Sequence, residues 1–183
     1  MKVLVAGIGN IFLGDDGFGV EVANRLAGRE VPPGVRVADF GIRGVHLAYE
    51  LLDGYDALVL VDAVPMGEPP GTVAILEPEL GRSEGDRDSY SDGDGPPVMD
   101  AHSMNPAVVL DMLASLGGEV GRVLVVGCEP SVLDEQIGLS APVAAAVDRA
   151  VEAVLEALTE LSPSGADAGF DQSGDLSEER SRA

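Results

Sequence analysis

Three polar residues stand where an alternating strand and helix pattern would gather them. Asp16 follows the first apolar run, Asp62 ends the third, and His102 precedes the helix that leads into the fifth. Two carboxylates and a neutral imidazole make a mixed oxygen and nitrogen donor set, suited to a borderline divalent metal such as nickel, zinc or iron more than to calcium or magnesium. Three protein ligands leave coordination positions open for water or substrate. Taken alone, His102 reads more readily as a residue near a helix N-terminus that hydrogen-bonds locally. Asp62 weighs against that bland reading, because an aspartate inside "LVLVDAV" must desolvate a charge unless it sits at the strand's polar end with a partner.

Other reactive side chains carry less. His46 falls on a helix and reads as surface or partner contact. Cys128 is a candidate nucleophile only in an electropositive setting, and the adjacent Glu129 opposes one, so a buried packing thiol is expected. No G-x-S-x-G elbow is present, which leaves serine hydrolysis without support. Asp15, Asp39, Asp53 and Asp56 read as caps, turns and solvated surface.

The elements that must position the trio follow from periodicity. Lys2 to Ile8 is a short Val-rich strand, and Gly17 to Arg29 has helical spacing. Val35 to Phe40 is a second strand, followed by a helix ending near Gly54. Ala57 to Val64 is an apolar run typical of a strand covered on both faces. "GTVAILEP" reads as a shorter edge strand. A helix in "HSMNPAVVLDMLASLGG", a fifth strand in "RVLVVGCEP" and a long helix starting from Ser140 as cap, with Pro142 close behind, complete the domain. The expected fold is a three-layer α/β/α domain with a twisted, mostly parallel five-stranded sheet. In such folds ligands bind beyond the carboxyl ends of the strands.

The first turn resembles a dinucleotide-binding loop, yet Phe12 stands where the third glycine of G-x-G-x-x-G belongs, and the two aspartates would repel a phosphate. A Rossmann-type module with Asp39 as its ribose-binding acid is therefore a weak alternative. The 183 residues carry 32 acidic against 11 basic side chains, a formal charge of −21, which argues against nucleic acid or anionic lipid as a partner. A single cysteine excludes an internal disulfide. "MKVLVAGIGN" turns to glycine and asparagine too early for a signal peptide, no run is long enough to span a membrane, and a cytoplasmic location is expected. Residues 1–161 form the expected domain. Within it, 77–100 reads as an acidic flexible loop, most simply a solvated spacer, and 162–183 as a disordered acidic tail. With one thiol and no apolar patch evident, a monomer is the default.

The segments "GIGNIFLGDDGFGVEV", "LVLVDAV" with "PPGTV" after it, "HSMNPAVVL", and "VLVVGCEP" followed by "IGLSAPV" resemble, in the same order, the proteases that mature nickel-iron hydrogenases. The resemblance spans residues 1 to about 161. It implies an α/β fold and an endopeptidase that removes the C-terminal extension of a hydrogenase large-subunit precursor once nickel is in place. The metal that matters then belongs to the substrate. Matched by motif, the family's metal-site acids and histidine fall on Asp16, Asp62 and His102, in metal-binding and catalytic roles. Relatives often carry a "GGT"-like turn where this chain has "FGIRG", so Gly41, Arg43 and Gly44 become candidates for substrate recognition, beside the simpler reading of a turn that needs glycine. A non-catalytic nickel carrier of the same fold stays open as an alternative.

Overall fold

The computed structural model of the chain describes residues 1–78 and 106–162. The acidic segment 77–100 and the tail 162–183 therefore lie, except for Glu77, Pro78 and Ser162, outside the described residues, as does His102.

Strand β1 (Val3–Ile8) runs through a 3-10 turn, Gly14–Gly17, into helix α1 (Phe18–Leu26). Then come β2 (Val35–Gly41), α2 (Gly44–Leu51), β3 (Ala57–Ala63), β4 (Val73–Leu76), α3 (Pro106–Ser115), β5 (Arg122–Cys128) and α4 (Ala141–Leu161). The five strands form one sheet in the order β2-β1-β3-β5-β4. Four are parallel, and β4 joins antiparallel at the edge, as its short apolar run and lack of a preceding helix lead one to expect. Its hydrogen-bonded partner is β5, which inserts between β3 and β4.

Alternation along the strands sorts the core into two layers. Val3 and Val5 of β1, with Val59 and Val61 of β3, face α1 and α4, whereas Leu4, Ala6, Leu58 and Leu60 face α2 and α3. Each central strand thus buries both faces, which is why it reads as an unbroken apolar run. Fully burying one such Val or Leu contributes roughly 1.5–3 kcal/mol. Among the described residues no helix is long and apolar enough to cross a membrane.

The chain leaves β1 toward β2 by way of α1 on one face and returns across β1 to β3 by way of α2 on the other. The winding reverses between β1 and β3, the point at which folds of this kind open a crevice at the carboxyl ends of the strands. The close helix-to-strand approach that a third fingerprint glycine would allow is provided elsewhere. A Cβ on Gly19 would lie 2.0 Å from the carbonyl oxygen of Val61 and 2.4 Å from that of Ile8, and one on Gly7 would lie 2.2 Å from the carbonyl oxygen of Gly19. Phe12 is free to point outward, 61% exposed.

Gly19→Ala should destabilise the protein by about 3 kcal/mol or more in urea denaturation, since backbone on both sides has no room to move. Gly28→Ala, where an added Cβ would meet only the Arg25 carbonyl oxygen at an ordinary contact distance of 3.8 Å, should change stability by no more than about 0.5 kcal/mol.

Candidate active site

Asp16 ends the turn that leaves β1, and Asp62 is the last residue but one of β3. The reversal of winding thus brings both carboxylates to one crevice. The turn folds back on itself: the backbone N–H of Asn10 donates to Asp16 Oδ2 at 2.6 Å. Gly9 is required for this, because a Cβ there would sit 1.8 Å from the carbonyl oxygen of Asp16, and its φ of +123° suits glycine.

Asp62 is half-buried, and its Oδ1 accepts a hydrogen bond from the N–H of Ala63 at 2.8 Å. Burial, and next the negative charge of Asp16, push its carboxyl up to about 8, with the Ala63 N–H offsetting only part of the effect. Two carboxylates that share a site resist ionising together, so this one holds a proton near neutral pH. Such a group donates a proton while it is neutral and becomes a base only once it is ionised.

Asp15 departs from the cap or surface role expected of it. It is 0% exposed and caps no amide of α1. Its carboxylate instead accepts from the N–H groups of Ser131 and Val132, each at 2.8 Å, and from the N–H and Oγ of Ser140 at 2.6 and 2.9 Å. Burial alone would raise its pKa, but these donors outweigh burial and hold it below the usual carboxylate value. Ser140 occupies the N-cap position of α4 as expected, though its hydroxyl serves Asp15 and makes no capping bond to the helix. Asp53 and Asp56 stay at the surface, and Asp56 Oδ2 accepts from the N–H of Lys2.

Glu129 is a second acid whose role only the structure discloses. It is buried, and its Oε2 accepts from the N–H groups of Met66 and Glu68 at 2.5 and 3.2 Å, fixing the loop that leaves Asp62. Its sequence signal, an acid at the polar end of an apolar strand, is the same one that marks Asp62. Cys128 is buried as expected, and burial followed by the charges of Asp15 and Glu129 pushes its thiol up to about 11, far from a nucleophile's range. His46 is exposed.

The turn from Gly41 to Gly44 lies at the same sheet edge. The carbonyl of Gly41 accepts from the N–H of Gly9 at 3.0 Å, tying this turn to the one that carries Asp16. Gly41 has a φ of +52°, the conformational need foreseen for this turn. Arg43, exposed, folds back on the turn, its Nε and Nη2 donating to the carbonyls of Phe40 and Asp39 at 3.0 and 2.7 Å, and Gly44 begins α2. Asp16 and Asp62 are therefore brought together, while the third member of the expected trio, His102, lies outside the described residues. Among the described residues, no three His, Cys, Asp or Glu side chains are grouped to hold a metal ion.

A family model described as hydrogenase maturation protease matches residues 20–157. A Methanocaldococcus jannaschii protein named for the same activity is 35% identical over 151 residues, covering 80% of this chain and 89% of its own length. The hydrogenase expression/formation protein HupD of Rhodobacter capsulatus is 33% identical over 150 residues, covering 79% of this chain, which in turn spans 64% of HupD. The solved structure of the hydrogenase maturating endopeptidase HybD from Escherichia coli superposes with a TM-score of 0.68 at 31% identity, covering 87% of this chain and 93% of that one. With a matching fold and relatives of this identity across most of its length, the chain belongs to the hydrogenase maturation protease family.

Proposed function

We propose that this protein is the cytoplasmic endopeptidase, acting as a monomer, that removes the C-terminal extension of a nickel-iron hydrogenase large-subunit precursor after nickel insertion. The observation that carries the reading is the pair of carboxylates, Asp16 and Asp62, with Asp62 raised to about 8 by burial and by its neighbour. A cation brought to this crevice reverses that balance, because a positive charge favours the ionised carboxylate. Nickel held by the precursor, met by Asp16, Asp62 and His102, favours the ionised form of Asp62, whose proton leaves to solvent. The freed carboxylate then takes a proton from water as the water oxygen bonds to the scissile carbonyl carbon. That proton passes to the amide nitrogen as the carbon–nitrogen bond breaks, giving a carboxylic acid and an amine, and the acid's proton then moves to the amine to leave a carboxylate and an ammonium group. A precursor without nickel leaves Asp62 protonated and the site without its base, which makes cleavage a check on metal insertion. Gly41, Arg43 and Gly44 border the same edge and are assigned to substrate recognition.

The decisive assay is intact mass of the large-subunit precursor, nickel-loaded and nickel-free, after incubation with the protein. A single C-terminal truncation in the nickel-loaded sample alone supports the reading; truncation in both, or in neither, refutes it. Asp16→Asn and Asp62→Asn should each slow the cut by at least about 100-fold with an unchanged far-UV circular dichroism spectrum, and normal processing by both variants would refute the assignment.

The raised pKa also acts on stability. An Asp62 carboxyl that titrates near 8 when folded, against about 3.9 when unfolded, contributes stability fully present below about 4 and lost as pH rises through about 8. Asp62→Asn removes this loss. In urea denaturation the variant should therefore gain on the wild type by about 2 kcal/mol between pH 5 and pH 8.5, after allowance for screening at a half-buried site. Parallel pH profiles would show that Asp62 is not held protonated.

A further inference from the structure

The loop that Asp15 anchors carries an isoleucine where a loop tip usually carries a polar residue. Ile137 is 82% exposed, and Ile11 opposite it is 47% exposed, which corrects the expectation that the surface lacks apolar patches. This is not slack chain. The loop is locked to the turn after β1 by hydrogen bonds from Gly14 N–H to the carbonyl of Gln136 and from Gln136 N–H to the carbonyl of Phe12, at 2.9 and 3.1 Å, besides the Asp15 bonds. The protein holds these two side chains in water at a fixed position.

Between them runs a groove of about 590 Å³ bounded by α1, the first turns of α4 and this loop, with Ile11, Val20, Ile137, Leu139 and Val147 as its apolar lining. Its lining includes Gly14 and Gly17, which flank Asp15 and Asp16 in the turn after β1. Its charged lining is Glu21, Asp39 and Arg25. Arg25 is already matched by Asp148 at 2.7 Å and Glu21 at 3.6 Å, and Asp39 has no ion-pair partner among the described residues. The net character is apolar with an acidic border.

We infer that this groove is a docking site for the precursor, seating a segment that presents an aliphatic side chain together with a basic one. The inference rests on the endopeptidase reading above and adds where the substrate is gripped. Charge selects the occupant. A second copy of this chain brings a net charge of −21 to an acidic border, and its own tail, with Asp167, Asp171, Asp175, Glu178 and Glu179 against Arg180 and Arg182, is repelled in the same way. A basic segment is attracted, and burying an aliphatic side chain between Ile11 and Ile137 supplies the apolar contribution. Because the loop is already in place, little ordering is lost on docking.

The test is steady-state cleavage of the nickel-loaded precursor. Ile137→Asp, at a position too exposed to affect folding, should raise KM at least tenfold with kcat within twofold of wild type. Asp39→Lys should raise KM severalfold and flatten its dependence on salt, and Leu116→Ser, an exposed apolar change on another face, should alter neither constant. Unchanged KM in Ile137→Asp overturns the docking site alone. Concentration-dependent dimerisation in light scattering that Ile137→Asp abolishes also overturns it, by giving the groove to a second copy. Failure of the wild type to cut the nickel-loaded precursor instead overturns the endopeptidase reading and, with it, this inference.

Discussion

A carboxylate taken wholly out of water must find donors, and how Asp15 does so organises one end of this molecule. Its two oxygens accept four hydrogen bonds from a loop more than a hundred residues away, which draws together the end of β1, the start of α1, the segment after β5 and the first turn of α4. Stripping one donor from such a group leaves a buried charge short of a hydrogen bond, a loss on the order of 1–3 kcal/mol. The crevice between β1 and β3 therefore has a rigid wall. Asp16, the next residue, inherits its placement from that wall.

Asp15 and Asp62 show how solvation divides chemically identical side chains. Asp15 has four donors and is held ionised despite full burial; Asp62 has one donor and a negative neighbour and is held protonated. Groups whose environments push their pKa values in opposite directions are the usual way a protein separates a structural charge from a chemical one. Around Asp62 the supply of donors is diverted elsewhere: the N–H groups of the loop that follows it go to Glu129. The protein leaves Asp62 undersupplied with donors, at a cost to its own stability.

Much of this could be read from residue order. Continuous apolar runs announced β1, β3 and β5, because strands covered on both faces leave no polar alternation to confuse them, and an aspartate at the end of such a run stood out. The pairing of β4 with β5 was not legible, since nothing local says which neighbour an edge strand chooses. Asp15 and Asp16 are adjacent and alike in sequence, and what separates them is a set of donors at 131–140, a distance that periodicity cannot see. Phe12 was rightly read as ending the dinucleotide fingerprint; the close packing it seemed to forbid was achieved through Gly7 and Gly19. His102 and most of the acidic segment were named from the sequence alone and lie outside the described residues.

The place of β5 in the sheet has a consequence for the newborn chain. Residues 57–63 and 73–76 are synthesised early, yet neither completes its pairing until residues 122–128 emerge and slide between them. Until then β3 presents an unpaired apolar edge and β4 has no sheet to join, the state in which strands meet the wrong neighbours. The donors that surround Asp15 come from residues later still. A ribosome must therefore finish nearly the whole domain before the turn after β1 is held in place, so a prematurely terminated chain carries Asp16 and Asp62 without the packing that positions them.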